Sequence, residues 1–148
     1  MNVLKSFKRF KELYELGIFE FIGFYLRAAN LHETNLRGAD FRNAYLAAAN
    51  FQGANLCDAD FSYSSLRGAS FEEAGLDGAN FEGADLSGAR FGQTSARNTN
   101  LSYAKLRGAV LSEVSFDNAN LSHADLSAAM LDCTSCQTEV LEVTTVKF

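Results

Sequence analysis

Between Leu26 and Cys136 every Leu and every Phe falls on one five-residue register. The register runs from Leu26, Leu31 and Leu36 through Phe41, Phe51, Phe61, Phe71, Phe81 and Phe91 to Phe116 and Leu131. It breaks at Ala96 and ends at Cys136. Two residues before each register position after Leu26 stands a small residue, usually Ala, otherwise Ser, Thr or Val. Asn or Asp often fills the place between, so the unit reads Ala-(Asn/Asp)-(Leu/Phe)-x-x. A period of five fits neither a 3.6-residue helix nor a period-two strand. The apolar residues are too numerous and too strictly phased for a disordered tract.

Small and large residues two apart lie on one side of an extended segment. The other two residues of the unit must then turn the chain before the next inward pair. Seven of the eleven glycines sit two after the large residue, for example Gly38, Gly68 and Gly83, where a type II turn requires positive φ.

These units resemble the A(D/N)LXX tandem repeats of the pentapeptide-repeat family, over about three quarters of the chain. The resemblance implies an all-β solenoid: a right-handed quadrilateral β-helix, four units per coil, nearly six coils and roughly 28 Å long. Folded at twenty residues per coil, the register becomes four interior columns. Leu26 begins an all-Leu column. Phe41, Phe61 and Phe81 share a second, and Phe51, Phe71 and Phe91 face them from a third. In the fourth, Ala96 lies directly below Phe116, which is expected to lean into the space Ala96 leaves.

The pattern stops at both ends. Residues 2–16 read as an amphipathic helix with Gly17 as its stop. With four basic and two acidic side chains, residues 1–16 carry +2 in a chain of net charge −5. A helical cap over the first coil is the favoured role for residues 1–25, with an anionic membrane surface as the alternative. The run Ile18–Tyr25 is too short to span a bilayer, and it follows a charged helix unlike a signal peptide. Phe19 and Phe24 are too bulky for the small position, so regular coils are expected over 26–136. The β-prone tail, 137–148, is expected either to cover the last coil or to pair with another subunit, giving a monomer or a dimer.

No catalytic constellation, phosphate-binding loop or metal motif is evident, and no cofactor is expected. His32 and His123 are far apart on the coil. Cys133 and Cys136 form a CxxC without a second pair or a thioredoxin-like context. The cysteines read as free thiols, which suits a reducing, cytoplasmic location. A pI near 5.0 argues against direct nucleic-acid binding.

The exterior offers candidate faces instead. Arg27, Arg67 and Arg107 align on alternate coils. Asn43, Tyr63, Gly83, Tyr103 and His123 form the next edge, with Tyr45 and Lys105 between the two lines. Tyr and Arg are common interface anchors, so Tyr45, Tyr63, Arg67, Tyr103, Arg107 and His123 are the candidate partner-binding residues. Glu33, Glu73 and Glu113 form a separate line, and Arg97 is expected to pair with both Asp77 and Asp117 in a surface ladder. The function expected is a non-enzymatic scaffold or interaction module for another protein. The alternatives are a DNA-mimicking regulator of a type II topoisomerase, as some members of the resembled family are, and a membrane-surface adaptor. The DNA-mimic reading wants a denser acidic face than Glu72, Glu73, Asp77, Glu82 and Asp85 provide.

Overall fold

The computed structural model describes residues 3–131 and Lys147. Its main element is a ladder of parallel bridges, each joining residues twenty apart, from Glu20–Asp40 and Tyr25–Tyr45 up to Lys105–Asp125. In the upper coils the ladder widens into two short strands, β1 (Val110–Leu111) and β2 (Met130–Leu131), paired in parallel with Val110 opposite Met130. The chain is a quadrilateral β-helix with twenty residues per coil.

One repeat shows why the unit has five residues. Phe41 N–H donates to the Asp60 carbonyl (2.7 Å) and Asn43 N–H to the Ser62 carbonyl (3.1 Å), both in the coil above. Tyr45 N–H donates to the Phe24 carbonyl below (2.8 Å), and Ala44 N–H closes the turn on the Phe41 carbonyl (3.0 Å). One donor, Arg42 N–H, is left over, and Asp40 Oδ1 accepts it at 3.1 Å. The Asn/Asp position therefore serves the one backbone donor that the ladder cannot reach. The same bond recurs from the N–H of Cys57 to Asn55 Oδ1, of Ser62 to Asp60, of Ser87 to Asp85 and of Ser102 to Asn100. Where the position is Ser95, the Arg97 N–H finds Asp77 Oδ1 in the coil below instead (2.9 Å). Stacked Asn side chains also bond one another, Asn120 to Asn100 to Asn80 to Asp60, at 3.1–3.3 Å.

The interior is the four columns. Phe21, Phe41, Phe61 and Phe81 stack at 5.0–5.1 Å, and Phe51, Phe71 and Phe91 at 5.0–5.2 Å. Across the core the two columns meet edge to face at 5.6–6.5 Å. Both geometries suit the aromatic quadrupole. Ala96 and Phe116 are buried in their shared column, Phe116 the less completely at 8% exposure. At the small position, buried hydroxyls bond the chain's own carbonyls: Ser64 to Phe61, Thr99 to Ala96 and Thr94 to Phe71. No buried side-chain polar atom among the described residues lacks a partner.

Helix α1 (Val3–Glu15) closes the lower end. Its apolar stripe turns inward, burying Phe10 and Leu13, and Phe10 packs on Phe21 at 4.6 Å. Ser6 Oγ accepts the Tyr25 N–H (2.8 Å), standing in for a carbonyl of the absent coil below. Gly17 at φ 71° ends the helix. Its N–H reaches the Tyr14 carbonyl, and Ile18 N–H reaches the Leu13 carbonyl, the Schellman arrangement.

The ladder starts before Leu26. Glu20 already bridges Asp40, and Phe21 is a full member of its column. The bulk of Phe19 and Phe24 does not prevent this, because no lower coil competes for their space. Phe19 tilts toward Tyr14 of α1 (5.9 Å), and Phe24 packs edge-on to Phe21 (5.7 Å).

At the upper end Lys147 bridges Asp125. It accepts the Leu126 N–H (2.7 Å), donates to the Ala124 carbonyl (3.0 Å) and pairs with the Asp125 carboxylate (3.7 Å). Cys133, Cys136 and, apart from Lys147, the tail 137–148 lie outside the described residues.

Candidate interaction surface

Each turn places its second residue at positive φ, and glycine occupies only some of these positions. On one edge the occupants are Asn43 (57°), Tyr63 (59°), Gly83 (63°), Tyr103 (59°) and His123 (61°). Asn and His tolerate this region better than most residues, but a bulky aromatic there is an outlier that costs on the order of 1–3 kcal/mol. The two tyrosines do not recover that cost by burial, being 61% and 59% exposed.

Their rings are nonetheless held. Tyr63 lies over Gly83, close enough that a Cβ there would sit 2.8 Å from the ring, and its hydroxyl donates to Glu82 Oε1 (2.9 Å). That bond to a carboxylate raises the Tyr63 pKa. Tyr103 stacks on His123 at 4.7 Å, nearly parallel. Each ring is thus supported by the residue twenty positions ahead.

The ladder and its turns put all six candidate residues on one side of the solenoid. Tyr45 lies on the flat between the edges, 48% exposed and stacked on Tyr25 at 4.4 Å, a partner not anticipated because Tyr25 precedes the regular repeats. Higher on the same flat come Asp85, Lys105 and Asp125. The far edge carries Arg67 and Arg107, which with Lys105, Asp85, Ser87 and Asp125 line a shallow groove. Arg67 approaches Asp85 at 3.7 Å. Asp125 accepts from the Ser127 hydroxyl and N–H, and with Lys147 and Arg107 nearby its carboxyl is held below the ordinary range. This side carries Arg27, Arg67, Lys105 and Arg107 against Glu82, Asp85 and Asp125, so it is net basic in an acidic protein.

Several acidic residues elsewhere are engaged. Glu72 binds Arg90 in a two-pronged contact that lowers its pKa. The expected Arg97 ladder forms on one side only. Its guanidinium reaches Asp117 (3.5 Å), whereas Asp77 is taken by the Arg97 N–H and the Ser95 hydroxyl. A backbone donor that has no other acceptor outcompetes a solvated side chain. Among the described residues no cluster of three His, Cys, Asp or Glu could hold a metal, and no helix is long and apolar enough to cross a membrane.

A rod whose backbone groups are spent in its own ladder, and whose chemistry sits on outward turns, defines a solenoid that presents faces rather than a cleft. A family model for pentapeptide repeats matches eight copies over residues 25–62, 58–93 and 97–132. The chain belongs to the pentapeptide-repeat family, and like the family's solved members it is a right-handed quadrilateral β-helix. It is similar to the crystal structure of a pentapeptide repeat protein from the Arabidopsis thaliana thylakoid lumen, at 32% identity over 70% of this chain and 72% of that one, with a TM-score of 0.55. A second similar structure is a pentapeptide repeat protein from the cyanobacterium Cyanothece 51142, at 25% identity over 84% of this chain and 96% of that one, with a TM-score of 0.58. No curated protein matches the chain.

Proposed function

We propose that the protein is a non-enzymatic interaction module that docks another protein on the side bearing Tyr45, Tyr63, Arg67, Tyr103, Arg107 and His123. Pentapeptide-repeat proteins are generally structural or interaction proteins, which supports the class. The observation that carries the choice of face is the pair Tyr63 and Tyr103. Both hold exposed rings on turns at positive φ, a conformation that Ala28, Glu33, Gln93 and others share on the other edges but into which those edges put no aromatic side chain. An interface needs such rigid aromatic anchors, and a solenoid exterior does not. Phosphate mimicry is less well supported, because Glu72, Asp77, Glu82 and Asp85 are each engaged by a neighbouring donor. The membrane alternative is weakened because α1 spends Phe10 and Leu13 on the first coil, which leaves Leu4 as the exposed part of its apolar stripe.

The double substitution Tyr63→Ala with Tyr103→Ala tests the face. Melting temperature should stay nearly unchanged while affinity capture of the partner from native extract is lost. Capture at the wild-type level would refute the assignment.

A further inference from the structure

The side bearing the tyrosines constrains the shape of what it binds. Its backbone N–H and C=O groups are used between coils, so a partner cannot add as a β-strand along it. Recognition must run through side chains, and these repeat on alternate coils: Tyr63 and Tyr103 with Gly83 between, and Arg27, Arg67 and Arg107 with Ala47 and Ser87 between. With neighbouring coils about 4.8 Å apart, alternate coils are about 9.6 Å apart. A polyproline II helix repeats every three residues, or about 9.3 Å, and needs no backbone partner. A β-strand repeats its faces every two residues, about 6.8 Å, and falls out of step at once. An α-helix returns to the same face after seven residues, about 10.5 Å. From Arg27 to Arg107, four coils span about 19 Å. Six polyproline II residues cover about 18.6 Å, whereas fourteen helical residues cover about 21 Å.

The two edges also differ in chemistry. Aromatic rings braced from one side suit the flat faces of proline rings. The opposite edge and flat are net basic, with Arg67, Lys105 and Arg107 near one another. Resting on the partner face proposed above, we infer that the segment docked there is an acidic polyproline II stretch running along the solenoid axis. Prolines three residues apart sit on Tyr63 and Tyr103, and intervening carboxylates meet Arg67 and Arg107.

The test is fluorescence anisotropy on the full chain. The probe is a short labelled peptide with Pro at every third position and Asp or Glu between. Three control peptides carry Pro at every fourth position, Lys in place of the acids, or an acidic amphipathic helix with apolar residues seven apart. The in-step acidic peptide should bind at least about tenfold more tightly than each control, the scale of one anchoring contact. Tyr63→Ala with Tyr103→Ala should remove that binding, and Arg67→Glu with Arg107→Glu should weaken it by a similar factor. Three results would overturn the inference: equal binding of a control, undiminished binding to the double Tyr variant, or no binding of the in-step peptide. If the in-step peptide fails while the double Tyr variant still loses its physiological partner, the partner face stands and the polyproline ligand falls.

Discussion

The lower and upper coils share one backbone ladder but fill it differently. From Phe21 to Phe91 two facing columns of phenylalanine interlock, stacked along the axis and edge to face across it, and the rings are at most 1% exposed. Above them the same two columns continue as Leu101, Leu121 and Leu111, Ala96 interrupts a third, and Phe116, Ala119 and Leu131 are less completely covered. The ladder distances barely change between halves, so the backbone sets the spacing and the side chains set how well the space is used. In a solenoid each coil answers only to its neighbours, so the lower half should be the more stable unit.

Substitution in the two halves breaks or sharpens that contrast. Phe61→Ala should cost about 3–5 kcal/mol in a denaturant melt, since it removes two stacks and two edge contacts. Leu121→Ala should fall near the lower end of the about 2–5 kcal/mol range for a core leucine. Equal losses would erase the distinction. Native-state hydrogen exchange should show the amides of residues 101–126 opening before those of 41–81. Ala96→Leu should overpack its column against Phe116 and cost about 1–3 kcal/mol. No loss in a melt would mean the column has room there. Gly83→Ala forces a side chain to positive φ and into the Tyr63 ring, so it should cost about 1 kcal/mol and also displace Tyr63 from its bond to Glu82, visible in the tyrosine titration.

The smallest effect is on pH. Asp40 is chelated by Arg42, which holds its carboxyl below the ordinary value of 3.8, and the Ser127 hydroxyl does the same for Asp125. A carboxyl lowered in the folded state adds stability above the unfolded value. That contribution is lost as pH falls through the folded value. The melting temperature should therefore be flat near neutrality and decline below about pH 4. Asp40→Asn and Asp125→Asn should flatten the decline.

The four columns were readable because a single period governs every large residue, and residue number modulo twenty already grouped the Tyr and Arg edges. The start of the ladder was not, since Phe21 is flanked by Phe19 and Phe24, whose fit depends on the helix beneath rather than on the repeat. The role of Asn and Asp was also hidden. It follows from counting backbone donors against acceptors, which requires the ladder. The one-sided Arg97 contact has the same origin, since Asp77 serves a backbone donor first. On the candidate surface, alignment was legible, but the bracing of Tyr63 on Gly83 and Tyr103 on His123 depends on ring directions that spacing alone does not determine.

The pairing of Asp125 with Lys147 carries a consequence for assembly. A parallel ladder with a twenty-residue repeat is a template without intrinsic length, because its last coil offers the same row of donors and acceptors as the one before. Continued winding would set residue 145 opposite Asp125, but Lys147 stands there, two residues out of step. In the language of polymer chemistry it is a chain stopper. On that face it takes up the Leu126 N–H and the Ala124 carbonyl, the groups to which a further in-register coil would have to bond.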